Sequence, residues 1–441
     1  MPPKNDLVSL SQAREQMRAS ILAYQPSKAV ERIEIKIHPV DMMAWLSLQK
    51  DAVKIYGANQ SDTVSIAGIG QAVSVSGNKT GSLKRVFKKL RSFLTGKYPY
   101  LQWYGGFCFD DRHMDGDWKE FGAYRFILPR FELAAQGGKM IFCCNLIGRE
   151  NIKEILKQLN QMDISRRVLS SRKKTDHLRH VSRRIDNPRQ GQWAKNIKDI
   201  LSDRTVQKVV LARKTILHFT QTPDPWVMLQ QLKKVTPNSY HFAFQFGKTT
   251  FLGASPERLF RRYQRAVESE ALAGTMPKSA DPASLQASEK NKREHHLVVE
   301  AIEAAFERFC AKFIRAKEPG VLTLANGHHL ITGFQGQLKD GVNDEDILKS
   351  LHPTPALGGT PRRQAMAAIR KREAFSRGWY GAPVGYVGLD WAEFVVGIRS
   401  GLVRGKKLSV YAGAGIIDGS QADDEWNEVE NKISNFIKII Q

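Results

Sequence analysis

Hydrophobic and polar positions along this chain switch several times between the period of a strand and the period of a helix. Residues 33–37, IEIKI, alternate apolar and polar, as a half-buried strand does. Residues 82–94 instead place Leu83, Val86, Phe87, Leu90 and the Phe93–Leu94 pair at helical spacing. Residues 105–110, GGFCFD, read as a buried strand entered through glycines, and residues 121–133 as another strand, interrupted by Pro129. A helix is expected over 152–159 and another over 192–201, on either side of a basic stretch. Strand signals then dominate at 206–212, 240–246, 250–254 and 258–263. A long helix is expected over 288–317, with an apolar stripe that includes Val298, Ile302, Phe306, Phe309 and Phe313. Two late strands, 393–403 and 407–412, flank Arg404-Gly405-Lys406 as a hairpin turn. A last helix starts near Ser420, which with Asp423 has the spacing of a capping box. Hairpin-joined strands with helices between them predict an α/β protein of the α+β kind, with mostly antiparallel sheets. No flexible linker interrupts the chain, so one compact unit is expected, with the basic run near residue 185 as the best internal boundary.

Composition adds little to the fold but narrows the function. Of the 441 residues, 42% are hydrophobic and 25% charged, the balance of an ordinary globular protein. No apolar run is long enough to span a bilayer, and the polar start MPPKNDLVSLSQAREQ lacks the core of a secretion signal, so cytoplasmic residence is expected. Cys108, Cys143, Cys144 and Cys310 form no CxxC pair and no zinc spacing, and read as buried reduced thiols. The net charge of +23 would attract an anionic ligand. Its densest stretch, SRRVLSSRKKTDHLRHVSRR at 165–184, carries no nucleic-acid motif and reads as a solvated face; no nucleic-acid partner and no membrane are expected.

Several positions bear chemistry. Lys208 shares a strand face with Val206, Val210 and Ala212, so its amine lies either in solvent at a strand end or in a pocket. A lysine stripped of water holds its proton less tightly and can serve as a general base. Glu257 follows the turn residues Ser255 and Pro256. It is either a surface carboxylate or an acid kept protonated by its surroundings. Glu294, one turn before Val298, continues the inward stripe of the long helix, while Lys290, Lys292 and Arg293 are placed off it. An inward carboxylate needs a salt bridge or a cation. On the last helix Glu425, Glu428 and Lys432 share a face, with Glu430 turned away. The small-residue run YAGAGIIDG before that helix permits close approach of a ligand. So do Leu272-Ala273-Gly274-Thr275 and LHPTPALGGTP at 351–361, the latter containing His352, although ordinary turns are the plainer reading.

Taken together, the segments QKVVLAR, GASPERL, LAGT, SEKNKREHHLVVEAI, LHPTPALGG, RGWYGAPVGYVG, FVVGIRSGLV and YAGAGIIDGSQADDEWNEVENK resemble the chorismate-utilising enzymes. They occur in family order over residues 192–441; the first part, 1–185, is less recognisable and resembles isochorismate synthases chiefly through GGFCFD and WKEFG. The resemblance implies a single domain of two stacked, mostly antiparallel sheets with helices outside. It also implies chorismate as substrate, magnesium as cofactor, and a monomer or weak homodimer. Members that use water as nucleophile carry a lysine where Lys208 stands, whereas anthranilate synthases usually carry glutamine. Aminodeoxychorismate synthases carry a nucleophilic lysine at the position of Ala273. Both differences favour water, and with it isochorismate synthase; the long first part resembles the menaquinone type. A salicylate synthase, or an isochorismate synthase of a siderophore pathway, is the alternative. The implied roles are Lys208 as general base, Glu257 as general acid, and Glu294 and Glu428 as magnesium ligands with Glu425 nearby. Arg399, Lys432 and the amides around Gly413 would bind the substrate carboxylate. Gly274, Thr275 and His352 would line the ring, with Ile398 and Tyr411 against its apolar face.

Overall fold

A computed structural model describes residues 7–26, 30–165 and 181–440, so most of the basic run lies outside the described residues. All four cysteines are buried and unpaired. Two sheets of twelve and ten strands form the frame, and every strand pairing within them is antiparallel. Each sheet takes strands from both halves of the chain. In the larger one Val53–Ala58, from the first half, pairs with Tyr240–Phe246, from the second. In the smaller one Gln102–Phe107 pairs with Pro383–Gly388. A continuous apolar core runs from Leu10 to Ile440. No helix among the described residues is long and apolar enough to cross a membrane.

The elements that matter most belong to the second half. In the larger sheet, strand Lys208–Phe219 lies against Lys407–Ile417. In the smaller sheet, Ala266–Pro277 lies against Gly327–Leu338. Helix Glu289–Phe309 packs on the Ala266–Pro277 strand, and helix Ala422–Ile440 packs on Lys407–Ile417. The first of these helices is capped by Ser288, whose hydroxyl accepts the amide of Asn291.

Four expectations need correction. The long helix stops at Phe309; Cys310 is extended, and Cys310–Arg315 is an edge strand beside Gly327–Leu338. Phe309 and Phe313 are four apart, a spacing that fits one helical turn and also one strand face, so the period could not separate the two. Residues 121–133 are two strands, Tyr124–Leu128 in the smaller sheet and Phe131–Gln136 in the larger, with Pro129 at the crossing. Residues 393–403 likewise divide into Trp391–Val396 and Ser400–Arg404, one in each sheet. Arg399 sits at that crossing with φ +49°, which only a firm surrounding structure holds in a side chain of this size. Finally, the Ser420 hydroxyl accepts the amide of Ile417, preceding it in the chain, instead of capping the last helix.

Candidate active site

Strand Lys208–Phe219 sets Lys208, Val210 and Ala212 opposite Ile417, Gly415 and Gly413. The Lys208 side chain is fully buried, and its Nζ donates to Glu294 Oε1 at 2.9 Å. This contact explains Gly415: a Cβ there would collide with Glu294 Oε1 and come within 3.0 Å of Lys208 Cε. Gly274 has φ +76°, at a bulge where a Cβ would press on the Asn291 carbonyl at 3.0 Å. Asn291 then accepts the Thr275 amide at 3.1 Å, tying this strand to the long helix one turn before Glu294.

Glu257 and Arg399 occupy neighbouring crossings between the sheets. The Val396 amide donates to Glu257 O at 3.0 Å, and the Ala254 amide donates to Arg399 O at 3.1 Å. The backbone is thus fixed on both sides, while the Glu257 carboxyl accepts no hydrogen bond among the described residues. The carboxyl faces a cavity whose wall also contains Glu294, Glu428, Lys432, Arg399 and Ala273. Gly274, Thr275, Ile398, Tyr411 and Gly413 complete it among the anticipated residues.

Three carboxylates from two helices each hold one lysine. Besides the Lys208–Glu294 pair, Lys290 Nζ donates to Glu425 Oε1 at 2.8 Å. Lys432 Nζ donates to Glu428 Oε1 at 2.5 Å and to the Gly413 carbonyl at 2.9 Å. Lys290 therefore does not point away from the inward face. It stands four residues before Glu294, one helical turn, and so shares its side. Glu430 is turned away as anticipated, bound by Arg213 Nη2 at 2.6 Å.

Electrostatics separates these carboxyls. Burial, reinforced by nearby Glu270, pushes Glu257 up to about 8 against the opposing pull of Lys208 and Lys432. Burial works against the charge on Glu294 too, but Lys208, Lys432 and Lys290 outweigh it, and this carboxyl is held below its ordinary value. Glu425 is raised by burial and by Glu428. Burial lowers Arg399 to about 10, and this guanidinium makes no salt bridge among the described residues. The wall thus combines an unpaired guanidinium, one lysine, a carboxyl pushed toward its protonated form and the carboxylates Glu294 and Glu428.

Some placements differ from expectation. His352 does not line the cavity; its ring meets the Phe109 ring edge-on at 5.7 Å, and burial lowers it to about 3. Its neighbours Ala356 and Leu357 reach the wall instead. Two residues of the wall were not anticipated. His329 shares a hydrogen bond with Thr275 Oγ1 at 3.0 Å, and Tyr380 stacks on Tyr411 at 5.4 Å. Tyr380 lies in the quoted segment RGWYGAPVGYVG, and His329 in a conspicuous His-His pair; these were the signals to follow. A larger cleft of about 650 Å³ opens elsewhere between the sheets. Its charges are already matched: Arg258 meets Glu268 and Glu270, Arg262 meets Asp344, and Tyr240 and Tyr386 donate to Glu393.

The frame is two antiparallel sheets, with lysines and carboxyls brought together where two helices approach one cavity. The sequence matches the chorismate binding enzyme family over residues 15–441, and the chain belongs to that family. It is 33% identical over 407 residues to isochorismate synthase 2, chloroplastic, of Arabidopsis thaliana, covering 87% of this chain and 72% of that protein. It is 28% identical to isochorismate synthase MenF of Bacillus subtilis, covering 99% of this chain and 97% of that one. Among solved structures, MenF, the menaquinone-specific isochorismate synthase from Escherichia coli, superposes with a TM-score of 0.85 at 28% identity, covering 98% of this chain and all of the other.

Proposed function

We propose that this chain is an isochorismate synthase of the menaquinone type, an isomerase that adds water at C2 of chorismate and expels the C4 hydroxyl. The observation that carries the residue assignment is Glu257 in the cavity wall, its carboxyl pushed up to about 8 by burial, with Lys208 buried behind that wall beside Glu294 and close enough to pull against the shift. Ala273 on the same wall has no amine to attack the ring, which with Lys208 favours water as the nucleophile.

Lys208, neutral when active and so no longer the charged partner of Glu294, would accept a proton from the water as its oxygen bonds to C2. The ring double bonds shift, the C4–O bond breaks, and Glu257 gives its proton to the departing oxygen, so one water enters and one leaves. Base and acid come from different strands because the two reacting carbons lie at opposite ends of the diene. Arg399 and Lys432 bind and orient the carboxylates, while Tyr411 and Ile398 pack on the apolar face. The residues suit a hard, oxygen-seeking divalent ion: Glu294 and Glu428 reach one cavity from two helices, and a lysine ammonium stands among them. As they stand, no three such side chains among the described residues converge on one point, because each carboxylate is engaged to a lysine. Glu294 and Glu428, with Glu425, would hold magnesium, whose positive charge would anchor the ring carboxylate. The unpaired, buried cysteines suit a reducing cytoplasm.

Incubation with chorismate and magnesium, followed by chromatography, tests the reading. Isochorismate as sole product is expected. Salicylate with pyruvate would move the chain to the salicylate synthases, and no turnover would remove the enzymatic reading. Activity that survives a chelator would remove the metal.

A further inference from the structure

The mechanism above leaves Lys290 without a task. Its ammonium nevertheless sits 2.8 Å from Glu425 Oε1, on the side of the long helix that also carries Glu294. Burial opposes its charge, yet Glu425, which it touches, and the fields of Glu428 and Glu294 hold its proton more firmly than usual. The Glu425 side chain is only 2% exposed, and a carboxylate so enclosed needs a countercharge.

The three lysines of the cluster differ in where they can go. Lys208 is wholly enclosed in the wall, and Lys432 is also fastened to the Gly413 carbonyl. The Lys290 side chain is 41% exposed, so its ammonium can swing into water at small cost. Resting on the reading that Glu294, Glu425 and Glu428 hold a divalent cation, we propose that Lys290 is a resident competitor for it. Its ammonium neutralises the carboxylates while no metal is bound and withdraws to solvent when metal arrives. Metal affinity is then set by the difference between two cations, and the metal-free cluster is spared the repulsion of Glu425 against Glu428.

The test is calorimetric titration of Mg²⁺ into the full chain and two variants, Lys290→Met and Lys292→Met. Both remove one positive charge from the same helix, but Lys292 pairs only with exposed Glu289. Lys290→Met should bind Mg²⁺ about five- to tenfold more tightly than the parent. Lys292→Met should stay within about twofold. Without metal, Lys290→Met should melt below the parent, and saturating Mg²⁺ should close the gap. Should it fail to fold without metal, Lys290→Gln carries the same expectations. Equal or weaker binding by the folded Lys290 variants overturns the proposal alone. A parent chain that takes up no Mg²⁺ overturns it together with the metal reading, and an equal gain in Lys292→Met reduces it to a general charge effect and so overturns it as well.

Discussion

Two clusters of buried charge in this molecule are made of similar residues and built in opposite ways. In the first half of the larger sheet, Glu132 is 1% exposed and accepts from Arg32, from Tyr104 at 3.1 Å and from Asn145 at 3.1 Å. Arg32 also donates to Asn145 at 2.9 Å, Asn145 to the Pro129 carbonyl at 2.9 Å, and Gln102 to Tyr104 at 2.7 Å. Charge here is closed on itself: cation and anion satisfy one another, and the polar atom left over is a neutral amide oxygen, Gln102 Oε1. The cluster at the cavity is left open. Among the described residues the Glu257 carboxyl accepts no hydrogen bond, Arg399 has no carboxylate partner, and three lysines are spread over the three carboxylates proposed to hold the cation. Closure fixes a packing arrangement, whereas openness leaves interaction energy for the substrate to complete.

That contrast predicts opposite consequences for like substitutions. The largest effect should come from Lys208→Ala and Glu257→Gln, each lowering kcat by roughly 10²- to 10⁴-fold, as the loss of one acid or base does. Glu257→Gln should melt near the parent, whereas Lys208→Ala leaves Glu294 without its buried partner and should melt lower, both checked by calorimetry beside a chorismate assay. Turnover near the parent's in either variant would take the assigned role from that residue. Glu132→Gln should do the reverse. It removes the buried anion beside the Arg32 guanidinium, leaving exposed Glu34 as its remaining carboxylate, and should cost about 3–5 kcal/mol of stability, measured by urea unfolding, while kcat per folded molecule is kept. A smaller effect is expected for Arg399→Lys. It keeps the charge but loses the planar fork, so KM for chorismate should rise roughly tenfold with kcat little changed. A fall in kcat with unchanged KM would show that Arg399 acts on the reacting centre instead.

How much of this was legible in the sequence depends on whether a residue's task shows in a local period. Lys208 stood out because its strand neighbours are apolar, and Glu294 because it extends an apolar helical stripe. Two neighbouring strands, Tyr240–Phe246 and Arg258–Tyr263, were readable to the residue for the same reason. The crossings between sheets were not. Trp391–Val396 and Ser400–Arg404 are both mostly buried and read on as one apolar stretch, so nothing local reveals that Arg399 turns the chain from one sheet to the other. Lys290 was misplaced although one helical turn from Glu294 should have set it on the same side. His329 reaches the cavity from Gly327–Leu338, a strand whose apolar residues do not mark which face meets the ligand. His352 lies in a segment of the right motif, yet packing on Phe109 decides where its ring goes, and that contact joins residues 243 positions apart in sequence.

The most sensitive separation of the two clusters is by pH, because Glu257 is held near 8 by burial and by Glu270. An acid that must be protonated loses activity as pH rises through its folded value, so turnover should decline above about pH 8. The same shift fixes the sign of a stability effect. The folded chain binds this proton more tightly than the unfolded chain does. The contribution is therefore fully present below the ordinary value of 4.5 and is lost progressively as pH rises through about 8. Glu257→Gln has no proton to lose, so across that window its stability should improve relative to the parent, while Glu132→Gln should gain no advantage from this source. A parent whose stability relative to Glu257→Gln stays level from pH 5 to about pH 9 would mean that Glu257 is already ionised at neutrality. In that case the proton given to the departing oxygen must come from elsewhere on the wall.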